Sequence, residues 1–252
     1  MKTPFWLTAA GVVFALAAAL PSTAQQPEAK DAEPLPPTPK VGPDSTLIED
    51  PKVKNLFIEV LGDKKTRRVL METEVCLREG PLELFMCKKG TKEHESILHV
   101  DVDTLKIHEL LILARAEPGK PTQFIDPKTE QAAYKPATGT KINVSVHYTW
   151  KGKKHTHPAQ EWVWDYKKKA QLPTGWVFAG SVVIVDPDNG KKYYGANSGD
   201  VISISNFPYS MLELPVEVSK DDANLVYEAK TDRIPPLHSK VWLILEPVLD
   251  KK

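Results

Sequence analysis

Charge of one sign is the first thing this chain lacks. Its 252 residues carry 33 Lys and Arg against 33 Asp and Glu. A nucleic-acid partner calls for a basic excess gathered on one face, so this balance argues against one. Cysteine is scarce, with Cys76 and Cys87 the only two. Long apolar runs are missing apart from Leu7 to Leu20. The common catalytic signatures are absent too: there is no Gly-Lys-Ser/Thr phosphate loop, no G-x-G-x-x-G, no G-x-S-x-G, no H-E-x-x-H and no paired C-x-x-C. Without them the leading expectation is a non-catalytic domain that binds a small-molecule ligand or a protein through an exposed sheet face or loop.

What is present begins with the grammar of export. Lys2 supplies a positive start, LTAAGVVFALAAAL (7–20) an uncharged apolar stretch, and Ser22-Thr23-Ala24 the small residues a signal peptidase accepts. The stretch falls short of the about 20 apolar residues that span a bilayer. Residues 1–24 therefore read as a cleaved signal peptide, with a mature start at Gln25, a periplasmic or extracellular location and no stable membrane insertion after cleavage. Residues 25–45 (QQPEAKDAEPLPPTPKVGPDS) are Pro-rich and nearly free of large apolar side chains, which reads as a disordered linker. A single domain follows over residues 46–252.

Period two dominates that domain. LFIEVL (56–61), RRVLMETEVCL (67–77), PLELFMC (81–87), KINVSVHYTW (141–150), QEWVWD (160–165), GWVFAGSVVIV (175–185), KYYGA (192–196), DVISIS (200–205) and KVWLILEPV (240–248) read as strands between Gly, Pro, Asp and Asn punctuation. Asp186 to Gly190 reads as a hairpin turn. One stretch changes period: in residues 102–116, Ile107, Leu110, Leu111 and Ala114 share a helical face, with Asp101 or Asp103 as N-cap and Pro118-Gly119 as the stop. Because Leu110 to Ala114 is unbroken and apolar, that helix is expected to pack on the sheet. A short second helix is expected over Pro208 to Glu213. Together these give an α+β, β-rich domain of mainly antiparallel sheet with one principal helix.

Outside the cytoplasm two thiols favour a disulfide. A four-residue loop from Gly80 to Glu83 would set Cys76 opposite Cys87, whereas a turn one residue earlier would not. The other reading is two buried small apolar residues. Candidate chemistry lies in three places. His94, flanked by Glu93 and Glu95, is the catalytic candidate together with Glu95, although residues two apart such as His94 and Ser96 make no local nucleophile–base pair. His147, His155 and His157 flank a Lys151-Gly152 turn. A three-residue loop would put all three on one face fit for zinc or copper, while a two-residue loop would pair His147 with Thr156 on the opposite face. The Gly- and Asn-rich stretch YYGANSGDVISISNFP (193–208) offers Asn197, Ser198, Asp200 and Asn206 as ligand-binding candidates. No cofactor is required by any of these readings, and a His-dependent metalloprotein is the alternative to the binding domain.

Several short motifs carry a resemblance. HELLILARAEPGKP (108–121), the upstream EHES (93–96), FAGS (178–181) and NSGDVISISN (197–206) resemble YdjY-type domain proteins. These are exported bacterial proteins of unassigned function, frequent in planctomycetes. The resemblance covers about residues 65–250 and implies export and a single domain. Some enterobacterial relatives carry a cysteine cluster in the region matching 195–210. This chain has no cysteine there, which excludes an iron–sulfur cluster held by four thiolates.

Overall fold

The structure, a computed structural model, describes residues 31–40, 42–125, 133–218 and 225–249. The signal peptide read over 1–24 and the first residues of the linker lie outside them. Among the described residues, eighteen strands and one α-helix follow in chain order. They are β1 (Thr46–Glu49), β2 (Leu56–Val60), β3 (Arg67–Val75), β4 (Leu84–Lys88), β5 (Ser96–Val100), α1 (Thr104–Leu113), β6 (Gln123–Ile125), β7 (Ala133–Lys135), β8 (Lys141–Trp150) and β9 (Lys153–Pro158). The rest are β10 (Val163–Asp165), β11 (Ala170–Gln171), β12 (Trp176–Phe178), β13 (Val183–Val185), β14 (Lys192–Tyr194), β15 (Ile202–Ser203), β16 (Leu212–Glu213), β17 (Tyr227–Ala229) and β18 (Lys240–Pro247).

The strands β3, β18, β8, β12, β16, β15, β4 and β5 form a ring, which closes where β5 pairs back onto β3. The pairing is antiparallel except for β4–β5 and β15–β16. Closure removes the edges an open sheet would expose. On β8 the side chains of Ile142, Val144, Val146 and Tyr148 point into the core while Lys141 and Asn143 face water, the alternation a half-buried strand requires. Phe85, Trp162 and Trp176 pack at the centre with tilted rings, Phe85 lying 5.6 Å from Trp176 and 6.2 Å from Trp162.

β18 is buried on both faces. Val241, Leu243 and Leu245 fill the barrel, whereas Trp242 and Ile244 join Leu70 in a second cluster on its outer wall. Residues 31–40, within the segment read as a disordered linker, cover that wall. The Pro36 carbonyl accepts from Trp242 Nε1 at 2.8 Å, the Glu33 carbonyl from the Lys240 amide at 2.9 Å, and the Pro39 carbonyl from Arg68 at 2.9 Å. Leu35 packs against the Trp242 cluster. A Pro-rich strand has few donors of its own but leaves its carbonyls free, so residues 31–40 dock as an ordered strap.

Other expectations change as well. α1 ends at Leu113 because Arg115 turns into the left-handed region (φ 72°), and its N-cap is Asp103, whose carboxylate accepts from the Leu105 amide at 3.0 Å. The run 175–185 splits into β12 and β13 at Gly180 and Ser181 (φ 85° and 57°). The short helix read over 208–213 is instead a turn leading into β16. The Asp186–Gly190 turn forms as read, with the Asp186 carboxylate accepting from the Asp188 amide at 2.9 Å. The Pro-Gly of 118–119 crosses the backbone around Gly139, where a Cβ would lie 2.0 Å from the Phe178 carbonyl oxygen. Only glycine permits that approach.

Candidate functional site

The Asn- and Gly-rich loop and the EHES segment, distant in sequence, meet at one end of the barrel. The link between them is Lys92. Its Nζ lies 3.0 Å from Asp200, 3.7 Å from Glu95 and 4.3 Å above the Phe207 ring. Burial works against the Lys92 charge, but the carboxylates of Asp200 and Glu95 outweigh it and hold its pKa above the ordinary lysine value. His94 takes no part in this contact. Its side chain is 78% exposed and 3.7 Å from Glu95. Ser96 is buried and donates to the Leu98 carbonyl at 2.8 Å, so no Ser–His pair exists. Glu93 turns inward to His99 at 2.8 Å. Burial is the strongest influence on His99 and keeps its pKa below the usual histidine value despite Glu74 and Glu93.

The loop residues proposed as ligand contacts are occupied by the fold. Asn197 Oδ1 accepts from the Thr104 amide at 3.0 Å and its hydroxyl at 2.9 Å, and Nδ2 donates to Asp103 at 2.9 Å. It therefore caps α1 from outside the helix. Ser198 donates back to the Gly195 carbonyl at 2.7 Å. Asn206 donates to Glu213 at 3.2 Å and to the Val216 carbonyl at 3.1 Å, and accepts from the Val218 amide at 2.7 Å.

Glu213 is a residue the sequence reading passed over. It is fully buried and accepts from the Thr122 amide at 2.9 Å. Burial raises its pKa, opposed by hydrogen bonds from Thr122 and Asn206. Its one signal in the sequence is a carboxylate set between Leu212 and Leu214.

The histidine arm adopts the two-residue register. Lys151 and Gly152 both have positive φ (52° and 71°), the signature of a type I′ turn. His147 consequently pairs with Thr156, its Nδ1 2.7 Å from the hydroxyl, and the three-imidazole face does not form. His155 and His157 share the other face with Tyr148, which stacks 5.2 Å from His155. His157 lies 3.2 Å from Glu161, itself 2.6 Å from Arg233. Among the described residues no group of three or more His, Cys, Asp or Glu is placed to hold a metal.

The cysteines are free thiols. β3 and β4 are not a hairpin: β5 runs between them, pairing with both. Cys87 is buried, and the Cys76 thiol donates to the Ser96 carbonyl at 3.0 Å. Cys76 is half-buried, and the two unbonded thiols nevertheless sit side by side: their mutual hydrogen bond is the largest influence on each, pushing the Cys76 pKa up and the Cys87 pKa down.

One surface is left without an internal partner. On α1, Ile107, Leu110, Leu111 and Ala114 are buried as the periodicity requires, but Leu105, Ile112 and Leu113 are exposed, the last two by 48% and 55%. Next to α1 stands the two-stranded ribbon β13–β14, on which Val183 and Val185 are 60% and 55% exposed and Ile184 and Tyr193 also face water. His108 joins the two elements: its Nδ1 is 2.7 Å from Tyr194 Oη and its ring 4.8 Å from Phe178. Burial pushes the His108 pKa down, so its ring is neutral there at neutral pH. Val183 and Val185 share the ribbon face of Tyr194, whereas Ile184 and Tyr193 lie on the opposite face, so three exposed residues on α1 and two on the ribbon flank this part-buried contact.

Among the described residues, no helix is long and apolar enough to cross a membrane. No curated protein and no solved structure matches the chain. The model of the YdjY domain matches residues 60–246, which reaches into every strand of the barrel, and the chain belongs to the YdjY domain family.

Proposed function

We propose that the mature protein is an exported, non-catalytic domain that binds a protein partner on the apolar surface of α1 and β13–β14. The observation that carries this reading is the concentration of exposed aliphatic side chains there: Leu105, Ile112 and Leu113 on α1, and Val183 and Val185 on the ribbon face that also carries Tyr194. Soluble chains rarely leave such a patch uncovered unless something docks on it. Covering a half-exposed aliphatic side chain is worth roughly 1 kcal/mol at about 25 cal/mol per Å². A two-stranded ribbon is also marginal alone, and a partner would stabilise it.

The polar candidates support the same reading from the other side. Asn197, Ser198, Asp200 and Asn206 all make internal contacts, which leaves little chemistry free for a substrate. The signal-peptide grammar of residues 1–24 supports a periplasmic or extracellular site of action after cleavage before Gln25. Intact mass of the exported chain checks that step, since a species retaining residues 1–24 would contradict it.

The binding surface is tested by Ile112→Asp/Val185→Asp. Both positions are exposed, so thermal stability should stay within about 0.5 kcal/mol of wild type. Co-purification of the partner from the producing cell should be lost. Unchanged co-purification would move the site elsewhere.

A further inference from the structure

A second surface points to a different kind of ligand. Between residues 131 and 160 this otherwise neutral chain has five lysines, three histidines and no Asp or Glu. Most of that charge sits on the β8–β9 hairpin, where Lys151, Lys153 and Lys154 are exposed and His155 and His157 partly so. Two carboxylates that touch this hairpin are already engaged: Glu33 accepts from the Lys151 amide at 3.0 Å, and Glu161 is shared by His157 and Arg233.

β9 pairs with β8 alone among the described residues, so its other side is a free edge. The two-residue turn makes Trp150 and Lys153 a hydrogen-bonded pair, and the antiparallel alternation repeats this at Tyr148–His155 and Val146–His157. The backbone N–H and C=O of Lys154 and Thr156 therefore point away from β8. Pro158 lacks an N–H and ends the available ladder. A lysine edge repels another like it, which discourages pairing with a second copy of β9, and attracts carboxylates.

We propose that β9 receives an extended acidic segment of a partner protein as an added strand, held by main-chain hydrogen bonds to Lys154 and Thr156 and by carboxylates along one face that meet Lys153 or Lys154, which project to opposite faces of the sheet. Backbone pairing supplies affinity and the lysines select for acidic sequence. The site is separate from the apolar surface on α1 and stands or falls independently of it.

The test is fluorescence anisotropy of the mature chain with a labelled eight-residue alternating Glu-Thr peptide. Saturable binding that weakens with salt is expected. Lys153→Gln/Lys154→Gln, whose positions are exposed, should weaken it at least tenfold with an unchanged melting temperature. The same peptide N-methylated at alternate amides should also bind at least tenfold more weakly, because it cannot complete the ladder. Absence of binding would overturn the proposal, as would equal binding of the N-methylated peptide or the Gln-Thr analogue. So would a sulfated polysaccharide that binds as tightly as the Glu-Thr peptide, since the surface would then read charge alone.

Discussion

Replacing Asn197 with alanine separates a strut from a ligand contact. The wild-type amide makes three close hydrogen bonds, accepting from the Thr104 amide and hydroxyl and donating to Asp103. Each is worth about 1 kcal/mol net, and Thr104 is fully buried, so its donors would be left wanting. The expected loss is about 3 kcal/mol. With a urea slope of roughly 2 kcal/mol per M, the midpoint should fall by about 1.5 M. The loss should also depend on pH. Hydrogen bonding from Asn197 is the main cause holding the Asp103 pKa below its usual value. Such a group contributes stability above its unfolded pKa, and that contribution is lost as pH falls through the folded value. The gap between wild type and Asn197→Ala should therefore be wider at pH 7 than at pH 3. Urea unfolding followed by far-UV circular dichroism at both values is the assay. A variant with an unmoved midpoint would refute the reasoning and free the side chain for a ligand.

Three other outcomes follow from the packing. Glu213 has its pKa raised by burial, so its favourable contribution is complete below its unfolded pKa and fades as pH rises through the folded one; Glu213→Gln, which cannot ionise, should gain on wild type in urea midpoints from pH 4 to 8, and a constant difference would contradict this. Leu35→Ala should cost about 1 kcal/mol, less than a fully buried leucine because Leu35 is only partly buried on the Trp242 cluster; no change in the melt would mean the strap is not docked. Alkylation of the denatured, unreduced chain should label both Cys76 and Cys87, which are free thiols in the fold, and a pair labelled only after reduction would contradict that.

The strands that alternate cleanly were the legible part of this fold. β8 runs over the residues its pattern marks, and β18 stops one residue short. β5 was not legible, because Ser96 to Val100 are all buried, and a strand covered on both faces shows no alternation. β15 falls within the run 200–205 read as a strand, but β16 is two residues long at a place read as a short helix, so the closure of the barrel through it had no local sign. The strap was misread for a related reason: proline content speaks for extension, but the apolar wall it lies on is assembled from β1, β2, β3 and β18. At the candidate site, residue types were readable and partners were not. Asn197 serves a helix 93 residues away, and Lys92, which the pattern did not single out, is what ties the EHES segment to Asp200. The helix α1 was read as packing on the sheet through Ile107, Leu110, Leu111 and Ala114, and it does, but Ile112 and Leu113 of the same apolar run stay exposed. That excess supports the binding surface proposed above.

The most direct test of that surface is site-specific photo-crosslinking in the producing cell. A benzophenone amino acid would be placed in turn at Ile112, Val183 and Val185, with the exposed Lys169 on a separate turn as control. A covalent adduct of one defined mass at the three apolar positions, and none at Lys169, is the predicted result. No adduct at any of the three, or the same adduct at Lys169, would contradict the claim that a partner docks on α1 and β13–β14.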